Sequence, residues 1–239
     1  MNRAAIRSAS PFAEESCVNS GGMIGNFELP HSVDLGATAA FALTGALAGV
    51  RRRYDIVGVF FLALASGVGG GLIRDGLFLR QSPPVAITDS RYLVTVALAC
   101  AAGLVLGGRM RHFEKWITIV DALGLGAYAV VGAQKTLQAG LGVPAALLIG
   151  VINAAGGGLL RDVLAREEPL IFKPGQFYAL VALAGAACFV SLAVFGGVTA
   201  TVSAGAAIGL TFLLRMLTIR FKWRTRPVVS EPVKPEFHD

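Results

Sequence analysis

Two short motifs in this sequence combine three glycines with an arginine–aspartate pair inside long apolar stretches. The first reads GGGLIRD from Gly69 to Asp75, and the second reads GGGLLRD from Gly156 to Asp162. Glycine leaves the neighbouring main-chain carbonyls unshielded by side chains, and carbonyl oxygens suit a hard monovalent ion. Residues of these types, in this order, therefore suit contact with an ion or a small polar solute inside a membrane.

The glycine runs predict an interruption in each of two helices. Three successive glycines permit dihedral angles that other residues resist, so a break or a kink is expected in each run. Because unsatisfied peptide groups are costly in hydrocarbon, two breaks would require a hydrated interior. Close packing of helices through small residues is the alternative. The residues concerned are Gly69, Gly70, Gly71, Gly156, Gly157 and Gly158.

Two aspartates stand at equivalent places near the start of apolar stretches. Asp121 follows five residues that fit a helix, so it is predicted to lie a turn or more inside that helix. A carboxylate there is costly unless it faces water or a cation. Asp34 has two interpretations, as a helix N-cap or as a residue of a pore.

Further polar side chains accompany the glycine runs. Ser66 and Asn153 precede the runs by three residues and offer either oxygen ligands or hydrogen bonds between helices. The arginine–aspartate pairs are either salt-bridge locks or charges at two pore mouths, and they comprise Arg74, Asp75, Arg161 and Asp162. Lys135 lies near the end of a predicted span, where an ammonium either reaches the interface or takes part in gating.

Composition excludes a soluble globule. The 239 residues are 54% hydrophobic and only 15% charged, and the mean hydropathy is +0.66. Soluble domains carry roughly a quarter of their residues as charges. The net charge of +6 arises from residues between apolar stretches and in the tail, so it indicates topology and implies no nucleic-acid partner. No enzyme signature, cofactor motif or structural metal motif occurs, so we predict a membrane protein without catalysis whose partners are lipids.

Seven stretches have the length and hydropathy of transmembrane helices. Because about 20 apolar residues span a bilayer, the sequence predicts an all-α integral membrane domain. The predicted spans are 33–50, 55–73, 92–108, 117–137, 142–160, 176–196 and 199–219. Residues 1–32 form a predicted leader outside the membrane, and residues 220–239 form a predicted basic cytoplasmic tail.

An internal repeat organises the predicted spans. Sliding the chain by 87 residues superposes the two glycine motifs, and also places Asp34 on Asp121 and Ser66 on Asn153. Repeat one covers 33–109 and repeat two covers 117–196, with the seventh helix outside the duplication. Since each repeat holds three spans, the second must enter the membrane in the opposite orientation. Inverted repeats place a site near the bilayer midplane.

The distribution of basic residues predicts the orientation. Arginines and lysines are more numerous on the side where the first span ends than on the side where it begins. Cytoplasmic loops carry the excess of such residues. We therefore expect the plasma (inner) membrane of a prokaryote, with the N-terminus outside and the C-terminus in the cytoplasm.

The duplicated unit resembles the prokaryotic branch of the trimeric intracellular cation (TRIC) channel family. The resemblance rests on GGGLIRD and GGGLLRD at the ends of the second and fifth spans, on the paired aspartates, and on a seventh helix. It covers residues 33–219. It implies seven helices, a homotrimer, and a potassium-permeable pore in each subunit, between the repeats. Asn153 departs from the hydroxyl residue common at that place in the family.

Two functions follow as hypotheses. The first is a passive K⁺ channel, with a transiently bound ion, in which glycine-kinked second and fifth helices line a water-filled path. The second is a secondary transporter of a small neutral solute such as glycine, because inverted repeats serve carriers as well as channels.

Overall fold

Seven membrane-length helices make up the part of the chain that the computed structural model describes, which is residues 28–107, 113–173, 177–221 and 223. They are α1 (His31–Arg51), α2 (Ile56–Ile73), α3 (Ser90–Gly107), α4 (Phe113–Gln138), α5 (Val143–Leu164), α6 (Tyr178–Val190) and α7 (Ala200–Arg220). Short π-helical segments extend α2 over Arg74–Leu79 and α6 over Ser191–Phe195, and a four-residue helix spans Val85–Thr88. Most of the predicted leader and tail, residues 1–27, 222 and 224–239, lies outside the described residues.

The helix ends agree with the predicted spans to about one turn, except at the end of α2. The sequence predicted a connection from Arg74 onward, but the backbone stays helical to Leu79 and stops at Arg80, whose φ is +47°. In the second repeat α5 also runs past its predicted end, to Leu164. Both arginine–aspartate pairs therefore lie within helical segments and not in loops.

The predicted interruption at the glycine runs is wrong. Helical structure continues through Gly69–Gly71 in α2 and through Gly156–Gly158 in α5. In a membrane an unbroken helix satisfies its own peptide groups, which removes the cost that a break would carry. A bend of either helix axis without a break stays a prediction.

Two inverted three-helix units form the fold. Helices α1–α3 pack around one apolar cluster and α4–α6, with α7, around another. Phe41 of α1 reaches into the second cluster and stacks on Tyr128 of α4, with ring centroids 5.3 Å apart. These two residues are 87 positions apart, so equivalent residues of the two repeats stack on each other. Large apolar side chains such as Ile56, Leu98 and Phe195 are exposed on the outside, as lipid contact requires.

The glycine runs instead allow α2 and α5 to touch through their backbones. A β-carbon at Gly70 would overlap the main-chain oxygen of Asn153, and one at Gly157 would overlap that of Ser66. The two contacts are equivalent under the 87-residue shift. Main-chain oxygens cannot move aside as a flexible side chain can, so only glycine permits this crossing. The alternative of close packing therefore describes these two positions.

This crossing predicts that alanine destabilises the protein at Gly70 but not at the neighbouring Gly71. Gly70→Ala should destabilise the protein by about 1–3 kcal/mol, as overpacking does in well-packed interiors. Gly71→Ala is the matched control, since its β-carbon would meet only an Arg74 side-chain nitrogen at 3.7 Å. Thermal unfolding of both variants in detergent provides the measurement. Equal melting temperatures for the two variants would contradict the crossing described here.

Candidate functional site

Charged and polar side chains, all of them buried except the partly exposed Lys135, form two clusters, one in each half of the membrane domain. The first cluster lies on the side where α1 begins, called the His31 side. The second lies on the side where α1 ends, called the Arg51 side. The first cluster contains Asp34, Arg74, Asp75, Tyr92 and Lys135, and the second contains Asp121, Arg161, Asp162, Tyr178 and Arg215.

Asp34 is the centre of the first cluster. Its Oδ2 accepts hydrogen bonds from Tyr92 Oη at 2.7 Å and from Lys135 Nζ at 2.9 Å. The N-cap interpretation of Asp34 is wrong, because α1 begins at His31 after Pro30 and the aspartate lies inside the helix. Asp34 and Lys135 also line a cavity of about 240 Å³ between the start of α1 and the end of α4. The carboxylate therefore meets a cation beside an open space.

Arg74 and Asp75 pair with each other inside the first cluster. Arg74 Nε and Nη2 donate to the two carboxylate oxygens of Asp75 at 2.6 and 2.9 Å. A third bond runs from Arg74 Nη1 to Asn153 Oδ1 at 3.3 Å and so joins α2 to α5. Arg74 is only 2% exposed. Such bidentate pairing offsets the cost of burying both charges.

The second cluster is centred on Arg161. Its Nη1 donates to Asp121 Oδ1 at 2.8 Å and to Thr44 Oγ1 at 3.0 Å, while Nε donates to Asp162 Oδ1 at 2.9 Å. Asp121 lies eight residues after the first residue of α4 and is 1% exposed. Two buried carboxylates therefore share one guanidinium, and Thr44 connects this group to α1.

Ser66 and Asn153 lie between the two clusters, beside the helix crossing. Ser66 Oγ donates to Leu62 O at 2.7 Å, and Asn153 Nδ2 donates to Tyr128 O at 2.7 Å. Both side chains are fully buried. The asparagine bond joins two helices, as one of the two interpretations from sequence expected. An ion that used these side chains as ligands would have to displace the bonds.

No metal centre is formed by the described residues, since none of their histidine, cysteine and acidic side chains gather in groups of three or more. The polar groups are instead carboxylates bonded to arginine or lysine side chains, together with hydroxyl, amide and main-chain oxygens. Such a set suits transient contact with a weakly held ion or a polar solute, and not tight coordination.

Comparison with known proteins decides the family. A family model described as Glycine transporter matches residues 31–107 and again 118–194. The UPF0126 inner membrane protein YadS of Escherichia coli is 32% identical over 194 residues, covering 81% of this chain and 93% of YadS. A UPF0126 membrane protein of Deinococcus radiodurans is 40% identical over 157 residues, covering 65% of this chain and 73% of the relative.

A solved structure shares the whole architecture. The TRIC trimeric intracellular cation channel orthologue from Rhodobacter sphaeroides superposes with a TM-score of 0.75 at 34% identity, over 79% of this chain and 96% of that one. The chain belongs to the prokaryotic TRIC family. This TRIC protein has the seven helices and inverted repeats of the fold class predicted from sequence, and that prediction is confirmed. Its spans and its relatives make it an integral protein of the inner membrane.

Three members of the TRIC protein's clusters were missed by sequence analysis. Tyr92 and Tyr178 stand at the starts of α3 and α6, where an aromatic residue is ordinary. No local pattern showed that either ring would be buried beside an aspartate. Arg215 did carry a signal, since it is a single cation within the last apolar span. A charge in such a place requires a partner or water.

Outside the spans, an ion pair joins the two repeats on the Arg51 side. Glu167 bonds to Arg51, and Arg52 Nη2 lies 3.0 Å from the same carboxylate oxygen. Burial alone would raise the pKa of Glu167, but the hydrogen bonds and charges of the two arginines outweigh burial and lower that pKa.

This lowered pKa predicts acid sensitivity. The stabilising contribution of Glu167 is complete above the pKa of a free glutamate, about 4.3, and is lost as pH falls through the lower folded pKa. As the pH falls from 7 to below about 4.3, the melting temperature of the wild type should therefore converge on that of Glu167→Gln. The exposed neighbour supplies the control, Glu168→Gln. A constant difference between wild type and Glu167→Gln across this range would refute the proposed linkage.

The two cluster aspartates should differ in their effect on stability. Asp121→Asn leaves Arg161 buried with one partner fewer and should cost about 3 kcal/mol, as loss of a buried ion partner does. Asp34→Asn should cost less, because the Lys135 side chain is 22% exposed beside a cavity and can be hydrated. Unfolding of the two variants in the same detergent compares them. A larger cost for Asp34→Asn would reverse this assignment.

Proposed function

We propose that this protein is a potassium-permeable channel for monovalent cations, with a path in each subunit between the inverted repeats. The observation that carries the proposal is the match over nearly the full length of a TRIC cation channel, at 34% identity. A second solved structure, a prokaryotic TRIC channel in 0.5 M KCl, matches with a TM-score of 0.72 at 28% identity. The chain is on this proposal a channel and not an enzyme.

The proposed path starts at the cavity beside Asp34 and Lys135. It continues past Asn153 and Ser66 at the crossing of α2 and α5, and it ends at Asp121. Carboxylates at the two ends favour cations over anions, and amide, hydroxyl and glycine carbonyl oxygens replace part of the hydration of K⁺. The glycine runs serve this path by bringing the two repeats together, and a bend at the runs would widen it.

Cations bound to the aspartates limit the flow. Lys135 holds the Asp34 carboxylate at 2.9 Å, so an entering cation must compete with its ammonium group. Arg74 pairs with Asp75 near one mouth, and Arg161 is shared by Asp162 and Asp121 near the other. Lys135 is the candidate gate of the His31 side, because it is the cation in direct contact with both Asp34 and the cavity.

Assembly and orientation complete the proposal. We infer a homotrimer, following the trimeric Rhodobacter sphaeroides orthologue, with membrane lipids around the exposed apolar side chains. The Arg51 side is assigned to the cytoplasm, because basic residues are enriched there, which leaves the N-terminus outside.

The name of the matching family model favours a second candidate. Glycine transporter is the description of the model that matches both repeats, and a carrier of a small neutral solute would use the same inverted architecture. A carrier would move solute at saturable rates without unitary currents. The two candidates therefore make different electrical predictions.

Reconstitution distinguishes the two candidates. The full-length protein in liposomes with a potassium gradient should give unitary currents that reverse near the potassium equilibrium potential, while uptake of labelled glycine stays at the level of empty liposomes. Both measurements use the same preparation. Saturable glycine uptake without unitary currents would replace the channel with the carrier.

A further inference from the structure

Arg215 brings a buried charge into the second cluster from a helix outside the duplication. It lies five residues before the end of α7 and is 2% exposed. Its guanidinium carbon lies 5.0 Å from the centroid of the Tyr178 ring, at the start of α6. A guanidinium over an aromatic face in a desolvated place is a substantial attraction. The last helix is thereby connected to the second repeat through a charge.

Arg215 and Tyr178 complete a set that repeats in both halves of the membrane. In each set the first helix of the repeat supplies the aspartate, and the end of the second helix supplies the arginine–aspartate pair. The start of the third helix supplies a tyrosine, and the end of the helix that follows the repeat supplies a cation. The sets are Asp34, Arg74–Asp75, Tyr92 and Lys135, and Asp121, Arg161–Asp162, Tyr178 and Arg215. Helix α7 packs against α4, the first helix of repeat two, as α4 packs against α1, the first helix of repeat one.

The two sets differ in their pairing. In the first, Tyr92 Oη donates to Asp34, and Arg74 bonds to Asp75 and Asn153. In the second, Arg161 bonds directly to Asp121. The buried Tyr178 Oη has no hydrogen-bond partner among the residues that the structure describes. Equivalent groups are therefore held in two different arrangements within one molecule.

The Tyr178 hydroxyl lies close to the aspartate that it does not bind. A β-carbon at Gly158 would stand 2.9 Å from Tyr178 Oη and 3.7 Å from Asp121 Oδ1, so both oxygens face the same point at the end of the glycine run. A buried hydroxyl without a partner is costly. A small shift of the ring would allow the bond that Tyr92 makes in the first cluster.

We propose that Arg215 and Tyr178 form a second gate, on the Arg51 side. The present structure is the closed arrangement, in which Arg215 holds the Tyr178 ring beside Gly158 and Arg161 is hydrogen-bonded to Asp121. Opening exchanges the partner of Asp121 from Arg161 to the Tyr178 hydroxyl, which is the arrangement that the first cluster already shows. This inference rests on the proposed function only in taking the path to run between the repeats.

Substitutions at the two residues should act in opposite directions. Arg215→Gln removes the charge that holds the ring, and should raise the open probability of single channels roughly tenfold, the factor expected for loss of a desolvated cation–π contact. Tyr178→Phe keeps the ring under Arg215 but removes the hydroxyl that would bind Asp121 in the open state, and should lower the open probability. Arg215→Lys keeps the charge without the planar stack and should fall between wild type and Arg215→Gln.

Matched variants test whether the effect is specific to a gate. Tyr92→Phe removes a bond that exists in the present structure, so it should lower the melting temperature, whereas Tyr178→Phe removes a buried hydroxyl without a hydrogen-bond partner and should not lower it. A purely structural role of Arg215 would reduce the number of folded channels without altering the open probability of each. An unchanged open probability in both Arg215→Gln and Tyr178→Phe would overturn the proposal.

A thiol probe tests the gate independently of what the protein conducts. Ser66→Cys, in the full-length chain with Cys17, Cys100 and Cys188 replaced by alanine, places a reactive group at the buried midpoint. A membrane-impermeant thiol reagent added on the Arg51 side should modify it faster in the Arg215→Gln background and more slowly in the Tyr178→Phe background. Tyr178→Phe is nearly isosteric, so this arm remains informative even if Arg215→Gln fails to fold.

The outcomes separate the two proposals. If thiol reactivity changes as expected but the protein carries no potassium current, the gate is supported and K⁺ is rejected as the transported species. Potassium currents with unchanged open probability and unchanged thiol reactivity in both backgrounds would keep the channel and overturn the gate.

Discussion

The contact between the backbones of α2 and α5 is the constraint on which the rest of the structure depends. The main-chain oxygens of Asn153 and Ser66 occupy the space that side chains at Gly70 and Gly157 would need. The crossing brings the two repeats together near their equivalent points, where Phe41 and Tyr128 also stack. It thereby sends the ends of α2 and α5, with their arginine–aspartate pairs, into opposite halves of the membrane.

The partners of the buried aspartates determine the electrostatic environment in each half of the membrane domain. Ionised side chains are tolerated in a membrane domain only with partners or water, and both clusters satisfy this with short ion pairs. The pairs are not distributed alike. Asp34 is held by an amine beside a cavity, whereas Asp121 is sealed by a guanidinium that it shares with Asp162. One sequence unit, used twice, thus yields two electrostatic environments across the bilayer.

The seventh helix accounts for part of this difference between the two clusters. Repeat one is followed by α4, which belongs to repeat two and supplies Lys135. Repeat two has no third repeat after it, and α7 provides the equivalent helix with Arg215. A helix outside the duplication can diverge without breaking the pairing between the repeats.

The sequence by itself determined the seven spans, the inverted duplication and the family. The length of apolar stretches and the 87-residue repeat can be recognised in the order of residues without knowing which side chains contact each other. The sequence also marked Asp121 as a carboxylate inside a helix. It could not decide whether glycines break a helix or pack it, because that depends on the backbone opposite Gly70 and Gly157. Nor could it assign Tyr92, Tyr178 and Arg215 to the aspartates. Only tertiary packing brings Tyr92 within bonding distance of Asp34 and places Tyr178, with Arg215 over its ring, beside Asp121.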